Sequence, residues 1–166
     1  MTANTSQSDA TATANIAKTT VPPLRLPQVL LDDLRAHGEE TWPRECCGAL
    51  LGKFGPEGWR IETLVRATNA RADSAHDRYE IAPAELVEIA QEARRRGLEI
   101  VGFYHSHPDH PARPSQYDLD HAVWPWWSYI IVSIQKGTPA LLTSWALAED
   151  RSKFEEETVE ICQPKS

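Results

Sequence analysis

The stretch VGFYHSHPDHPARPSQYDLD, residues 101–120, decides how the chain is read. An apolar run ends in two histidines two apart, His105 and His107, and after a proline-rich loop Ser115 and Asp118 stand three apart. In a strand, residues two apart point to the same face, so both imidazoles leave the strand end in one direction. With Ser115 as the cap of a following helix, Asp118 falls on the same face by helical periodicity. Pro108, Pro111 and Pro114 stiffen the connection and set the helix start against the strand.

Two neutral imidazoles and one carboxylate form a three-donor set suited to Zn²⁺, with a fourth position left for water, as in catalytic rather than structural sites. Hydrolysis at such a metal also needs a carboxylate to handle protons. Glu45 in PRECCGALLG is the candidate, at the start of an apolar strand and flanked by small residues. Each half of the pattern has a plain structural alternative: a hydrogen-bonded histidine pair, and a Ser-x-x-Asp helix cap. The two halves together, with a remote glutamate, favour the metal.

Composition narrows the rest. The 166 residues hold one domain with a full core, and 41% apolar and 25% charged residues are ordinary for a globular chain. A net charge of −7 argues against a broad phosphate-binding face, so nucleic acid is not an expected partner. The RRR run at 94–96 reads as the solvated end of a helix. Three cysteines, two of them vicinal, indicate no disulfide framework and fit a reducing cytoplasm. No apolar run approaches the roughly 18 residues of a membrane span, and the N-terminus has no secretory signal pattern.

Residues 1–20, rich in Thr, Ala and Ser, read as a disordered tail, with residues 21–166 as the domain. VPPLRLPQ leads into a helix with Val29, Leu30 and Leu34 at helical spacing and Pro43 marking its end. CCGALLGKFGPEGWRIETLVRATN reads as a hairpin turning at GPEG, and ARADSAHDRY as a mobile polar loop. The clearest helix opens at Pro83, carries Leu86, Ile89, Ala90 and Ala93 on one face, and stops at Gly97. IVGFYHSH is a strand, a helix begins at Ser115, WSYIIVSI and ALLTSWALA are strands, and KFEEETVEI is a last one. This alternation predicts a layered α/β domain.

Glu45 in PRECCGALLG, then GFYHSHP and PSQYD, resemble the active-site pattern of the JAMM (MPN+) zinc metalloproteases, in their small prokaryotic branch. The resemblance runs from about Leu26 to about Glu149, with no gap or substitution in the motif. It implies a cytidine-deaminase-like α/β/α sandwich around a mixed sheet; the paired H-x-E and P-C-x-x-C signature of the deaminases themselves is absent. It implies that His105, His107 and Asp118 ligate Zn²⁺. Glu45 would activate the metal's water and pass the proton to the leaving amine, and Ser115 would steady the oxyanion. It also implies a substrate: the bond after the C-terminal Gly-Gly of a ubiquitin-like or sulfur-carrier protein. The segment NARADSAHDRYEIAP lies where the family covers the substrate tail, and an exposed strand beside the site would hold that tail by β-addition.

Alternatives stay open at this stage: a metal-dependent hydrolase of small peptides or amides, and a non-catalytic partner-binding scaffold of the same fold. His110 and His121 are near enough in sequence to supply a fourth ligand, although the family pattern does not use them. His76 reads as solvated. Cys46 and Cys47 border Glu45 without a cysteine–histidine arrangement and read as core thiols. Trp124, Trp126 and Trp127 in WPWW read as core or as an apolar patch for a partner.

Overall fold

The structure, a computed structural model, describes residues 22–163; the expected tail over residues 1–20 lies outside them. In chain order the elements are β1 (Leu24–Pro27), α1 (Gln28–Thr41), β2 (Cys47–Gly55), β3 (Gly58–Ala67), α2 (Pro83–Arg95) and β4 (Glu99–Pro108). They continue with α3 (Gln116–His121), β5 (Ser128–Gln135), β6 (Thr138–Leu147), β7 (Phe154–Glu157) and β8 (Val159–Cys162). The strands form one mixed sheet in the order β7-β6-β5-β4-β2-β3-β1-β8. β4 pairs parallel with β5 across the crossover that contains α3, and β1 is parallel to β3 and β8.

Two apolar layers, one on each sheet face, hold this sheet. On one, Leu31 and Leu34 of α1 pack with Leu50, Tyr104, Ile130 and Val132. On the other, Ile89 and Ala93 of α2 pack with Ala49, Leu51, Phe103 and Tyr129, with Leu119 of α3 against them. The expected α/β/α sandwich around a mixed sheet is therefore observed. No helix among the described residues is long and apolar enough to cross a membrane.

Strand β4 carries a bulge that decides which way its histidines face. Its register against β2 slips between Leu50, opposite Gly102, and Leu51, opposite Ile100. The extra residue, Val101, packs into the α1 layer, while Phe103 packs into the α2 layer. A bulge shifts the two-residue alternation by one position, so Phe103, His105 and His107 share the α2–α3 face. Gly102 permits the close pairing beside it: a Cβ there would lie 1.8 Å from the Ser128 carbonyl oxygen.

Helix α2 begins at Pro83 and ends as expected at Gly97, which has φ +63°. The Leu98 N–H donates to Ala93 O at 2.9 Å and the Gly97 N–H to Arg94 O at 3.1 Å, the paired bonds of a Schellman end. Two apolar faces differ in detail from expectation. In α1 the buried residues are Leu31, Leu34, His37 and Gly38, while Val29 is exposed, and in α2 Ala90 is exposed beside buried Ile89 and Ala93.

Two strands correct the sequence reading. LRLP is not merely a lead-in to α1 but a strand, β1, with Leu24 and Leu26 buried between β3 and β8. The last expected strand is two. β7 pairs with β6 at one edge of the sheet and β8 with β1 at the other, with Thr158 alone between them. One residue can bridge the two edges only because the twisted sheet curls until they lie side by side.

Candidate active site

Backbone register brings the upstream glutamate to the histidines. β2 and β4 run antiparallel with Cys47 opposite His105. One step on, the Cys46 N–H donates to Ser106 Oγ at 2.8 Å and the Ser106 N–H donates to Cys46 O at 3.1 Å. Glu45 comes next, two residues before Cys47 and so on the Cys47 side of the chain, its N–H donating to Ala75 O at 2.5 Å. Facing positions on paired strands send their side chains to the same side, so Glu45 shares the face of both imidazoles. Glu45 is 4% exposed, His105 2% and His107 7%.

α3 supplies the third donor. Ser115 is its N-cap, with the Asp118 N–H donating to Ser115 Oγ at 3.1 Å and the Ser115 N–H donating back to Asp118 Oδ2 at 2.6 Å. This reciprocal capping box fixes the carboxylate without a long side chain. Ser115 Oγ–H also donates to Asp118 Oδ2 at 2.8 Å. The result is a tight cluster: His105 Nε2 lies 3.0 Å from His107 Nε2 and 3.2 Å from Asp118 Oδ1, and His107 Nε2 lies 3.4 Å from Asp118 Oδ2.

This donor set fits a metal ion. His107 Nδ1 stands 2.8 Å from the Pro111 carbonyl oxygen, which can only accept, so Nδ1 carries the proton and Nε2 presents a lone pair to the cluster. His105 Nδ1 is buried and has no hydrogen-bond partner. Two ring nitrogens and a carboxylate converging at 3.0–3.4 Å form a donor set that a shared positive charge, a metal or a proton, would hold together. Four donors about 2.0–2.1 Å from a tetrahedral centre lie roughly 3.3 Å apart, which matches this spacing. Among the described residues His105, His107 and Asp118 are the group able to hold a metal, all three donor atoms lying within 4.8 Å of one another.

The electrostatics agree with that arrangement. Burial pushes the Glu45 carboxyl up to about 9, helped by the negative Asp118 and Asp77. Burial lowers the His105 imidazole, against the opposing pull of Asp118. For Asp118 burial favours the protonated acid, but attraction to positive charge at His105 and the hydrogen bond from the Ser115 N–H outweigh it. Its carboxyl is held well below the usual carboxylate range.

Groups behind the donors hold them in place. The loop carrying Pro111 is tied to the sheet by Ser133 Oγ–H donating to His110 O at 2.6 Å and Thr143 Oγ1–H to Ala112 O at 2.6 Å. Tyr79 stacks on the His105 ring, with centroids 4.6 Å apart. The polar loop between β3 and α2 packs onto the site through Asn69. Its amide donates to Glu45 O at 3.2 Å and Arg78 O at 2.9 Å, and its Oδ1 accepts from the N–H groups of Arg71 and Glu80. Tyr79, Asn69 and the Pro111 carbonyl were not singled out in the sequence. An aromatic residue in a polar loop and an asparagine at a strand end were the available signals.

The remaining candidates lie elsewhere. His110 and His76 are exposed, and His121 pairs through Nδ1 with Tyr117 O at 2.9 Å; none joins the donor cluster. Cys46 and Cys47 are buried, and burial pushes both thiols up, Cys46 to about 11, which makes them poor nucleophiles.

Residues 27–148 match the family described as prokaryotic homologs of the JAB domain. The chain belongs to that family. Among curated proteins it is similar to a desampylase of Haloferax volcanii, 36% identical over 106 residues, covering 61% of this chain and 74% of that one. It is also similar to a probable TtuB-protein conjugate cleaving protease of Thermus thermophilus, 32% identical over 101 residues. That match covers 61% of this chain and 64% of the Thermus protein, so the chain spans less than two thirds of that relative. Two solution structures share the fold. A protein of Desulfitobacterium hafniense has a TM-score of 0.74 at 27% identity, covering 84% of this chain and 93% of its own. A protein of Salinibacter ruber has a TM-score of 0.66 at 44% identity, covering 85% and 92%. The JAB-family fold is thus the setting of the site.

Proposed function

We propose that this chain is a zinc peptidase or isopeptidase that hydrolyses the bond after the C-terminal Gly-Gly of a ubiquitin-like or sulfur-carrier protein. The observation that carries this reading is the convergence of His105, His107 and Asp118 beside the buried carboxyl of Glu45. The names of the Haloferax and Thermus relatives, a desampylase and a probable TtuB-protein conjugate cleaving protease, support the substrate class. Bound Zn²⁺ supplies Lewis acidity, lowering the pKa of water toward about 7 and polarising a carbonyl.

The chain's own residues do the rest. His105 and His107 offer Nε2 lone pairs, and Asp118 stays anionic and held by its cap. In its carboxylate form Glu45 would take a proton from water and then return it to the leaving amine, its buried position giving it the proton affinity to hold that proton between the two steps. Ser115 is proposed as the oxyanion donor, a role in which its hydroxyl turns from Asp118 Oδ2 toward the substrate while the Ser115 N–H keeps its hold on the carboxylate. The unpaired cysteines suit a reducing cytoplasm.

The test is intact-mass analysis of a sulfur carrier extended beyond Gly-Gly, incubated with the zinc-loaded protein, with and without a chelator. Chelator-sensitive loss of the extension is expected. An uncut carrier alongside a zinc-loaded protein would overturn the assigned substrate.

A further inference from the structure

The two histidine donors are held in different ways. The His107 ring is aimed by its Nδ1–H, which donates to Pro111 O at 2.8 Å. His105 Nδ1 is buried and meets no acceptor among the described residues. A histidine that ligates a metal almost always donates its second ring N–H to an oxygen, which fixes the plane of the ring. What meets the His105 ring instead is Tyr79, at 4.6 Å between centroids and 25° between planes. Tyr79 is itself set by its chain neighbours. Arg78 O accepts from Asn69 Nδ2 at 2.9 Å, the Glu80 N–H donates to Asn69 Oδ1 at 3.2 Å, and Glu80 O accepts from the Ala70 N–H at 2.8 Å. The same loop holds both backbone groups of Glu45, whose N–H donates to Ala75 O and whose carbonyl accepts from Asn69. Tyr79 also lines, with Trp124, a cleft of about 350 Å³ beside the donors. Its hydroxyl makes no hydrogen bond among the described residues.

Resting on the zinc reading above, we propose that the Tyr79 ring takes the place of that hydrogen bond, as the positioning residue that aims His105 at the metal and favours the loaded site. A ring lying nearly parallel to the imidazole opposes its rotation about the Cβ–Cγ bond, which would swing Nε2 out of the cluster. The face of an aromatic ring is electron-rich, and an imidazole that gives its Nε2 lone pair to a dication becomes electron-poor. The stack is therefore stronger with the metal bound than without it, and that difference adds to zinc affinity. In a buried setting water screens the attraction little. The ring makes the contact and the hydroxyl does not, so phenylalanine can stand in for tyrosine, whereas an aliphatic side chain cannot. The loop that the family resemblance places over the substrate tail thus also frames the metal and its base.

The test measures zinc affinity, by competition with a chromophoric chelator, in the full-length wild type, in Tyr79→Phe, in Tyr79→Leu and in a chain carrying pentafluorophenylalanine at position 79. Fluorination keeps the outline of the ring and reverses the charge of its face, so packing and electrostatics separate. Tyr79→Phe should bind zinc within about twofold of wild type. The fluorinated ring and leucine should each weaken binding about tenfold or more, inside the ten- to a hundredfold range for groups that orient a ligand from behind. Denaturant melts of the metal-free proteins should give the fluorinated chain the same midpoint as Tyr79→Phe. With cobalt in place of zinc, Tyr79→Leu should shift the visible absorption bands, and Tyr79→Phe should leave them in place. Wild-type zinc affinity in the fluorinated and leucine chains overturns the assignment and leaves the metal site standing. If Tyr79→Leu does not fold, the fluorinated chain decides alone. A wild type that binds no zinc overturns both.

Discussion

Strand β4 presents buried histidine chemistry to both of its faces. On the α1 side, Tyr104 Oη lies 2.9 Å from Nδ1 of His37, with the rings edge-on at 5.8 Å. On the α2–α3 side, His105 and His107 bring their Nε2 atoms to 3.0 Å from each other and to 3.2 and 3.4 Å from the Asp118 carboxylate. His37 and His107 are equally buried, at 7% exposure. They differ in where their polar atoms are satisfied. His37 makes its contact with a hydroxyl that can give or take a proton. His107 spends Nδ1 on a carbonyl and leaves Nε2 in a ring of other electron pairs. Burial alone therefore does not mark a functional histidine; converging lone pairs do.

The strongest way to break this comparison is His107→Ala. Removing one donor of three should abolish stoichiometric zinc, measured by native mass spectrometry or elemental analysis. It should lower kcat/KM on the order of 10³-fold or more, as for a member of a catalytic unit. A variant that kept one zinc per chain and normal turnover would place the metal elsewhere and make the two faces equivalent.

A smaller and more specific effect is expected at Glu45. Glu45→Gln keeps all three donors, so zinc should remain bound while kcat falls about 10²- to 10⁴-fold, the usual contribution of a positioned acid–base. The metal-free protein gives a second readout. The Glu45 carboxyl is raised from about 4.5 to about 9, chiefly by burial. A raised folded-state value means that its stabilising share is fully present below about pH 4.5 and is lost as pH rises toward 9. His105, lowered by burial, works the other way and costs stability as pH falls through its ordinary range. The difference between variant and wild type isolates Glu45. Metal-free Glu45→Gln should gain stability over wild type as pH rises, roughly 3 kcal/mol near neutrality, measured by denaturant melts. A pH-independent difference would mean that the carboxyl is solvated.

Much of the site side was legible because its signals are local. Ser115 and Asp118 lie three apart within one capping box, and the two histidines close one apolar strand. Helix α2 was bounded by Pro83 and Gly97, whose backbone constraints act in place. What was not legible depends on distant partners. The four residues of β1 are too few to show a period, and they are a strand only because β3 and β8 flank them. KFEEETVEI reads as continuous because nothing in it shows that its halves pair at opposite edges of a curled sheet. The bulge at Val101 reverses the alternation expected of β4, and only the register against β2 reveals it. WPWW was ambiguous for the same reason. Trp127 packs into the α2-side core, while Trp124 lines the cleft and Trp126 is exposed, with φ +68°.

The gentlest probe acts on the opposite face. Tyr104→Phe keeps the buried ring and removes the hydroxyl that meets His37. Tyr104 is fully buried, so no water takes the place of that hydroxyl, and the His37 nitrogen is left without its partner. Leaving one buried polar group unsatisfied costs about 1–3 kcal/mol, which should appear as a lower denaturant midpoint with an unchanged slope. Turnover should stay within about twofold, because Tyr104 and His105 point to opposite sides of β4 and share no hydrogen bond. A stability loss with intact kcat/KM confirms that the His37–Tyr104 pair is structural. A tenfold fall in kcat with zinc retained would show that the two faces are mechanically coupled through the β4 backbone, and that the hydroxyl on the dry side helps to aim the imidazoles on the other.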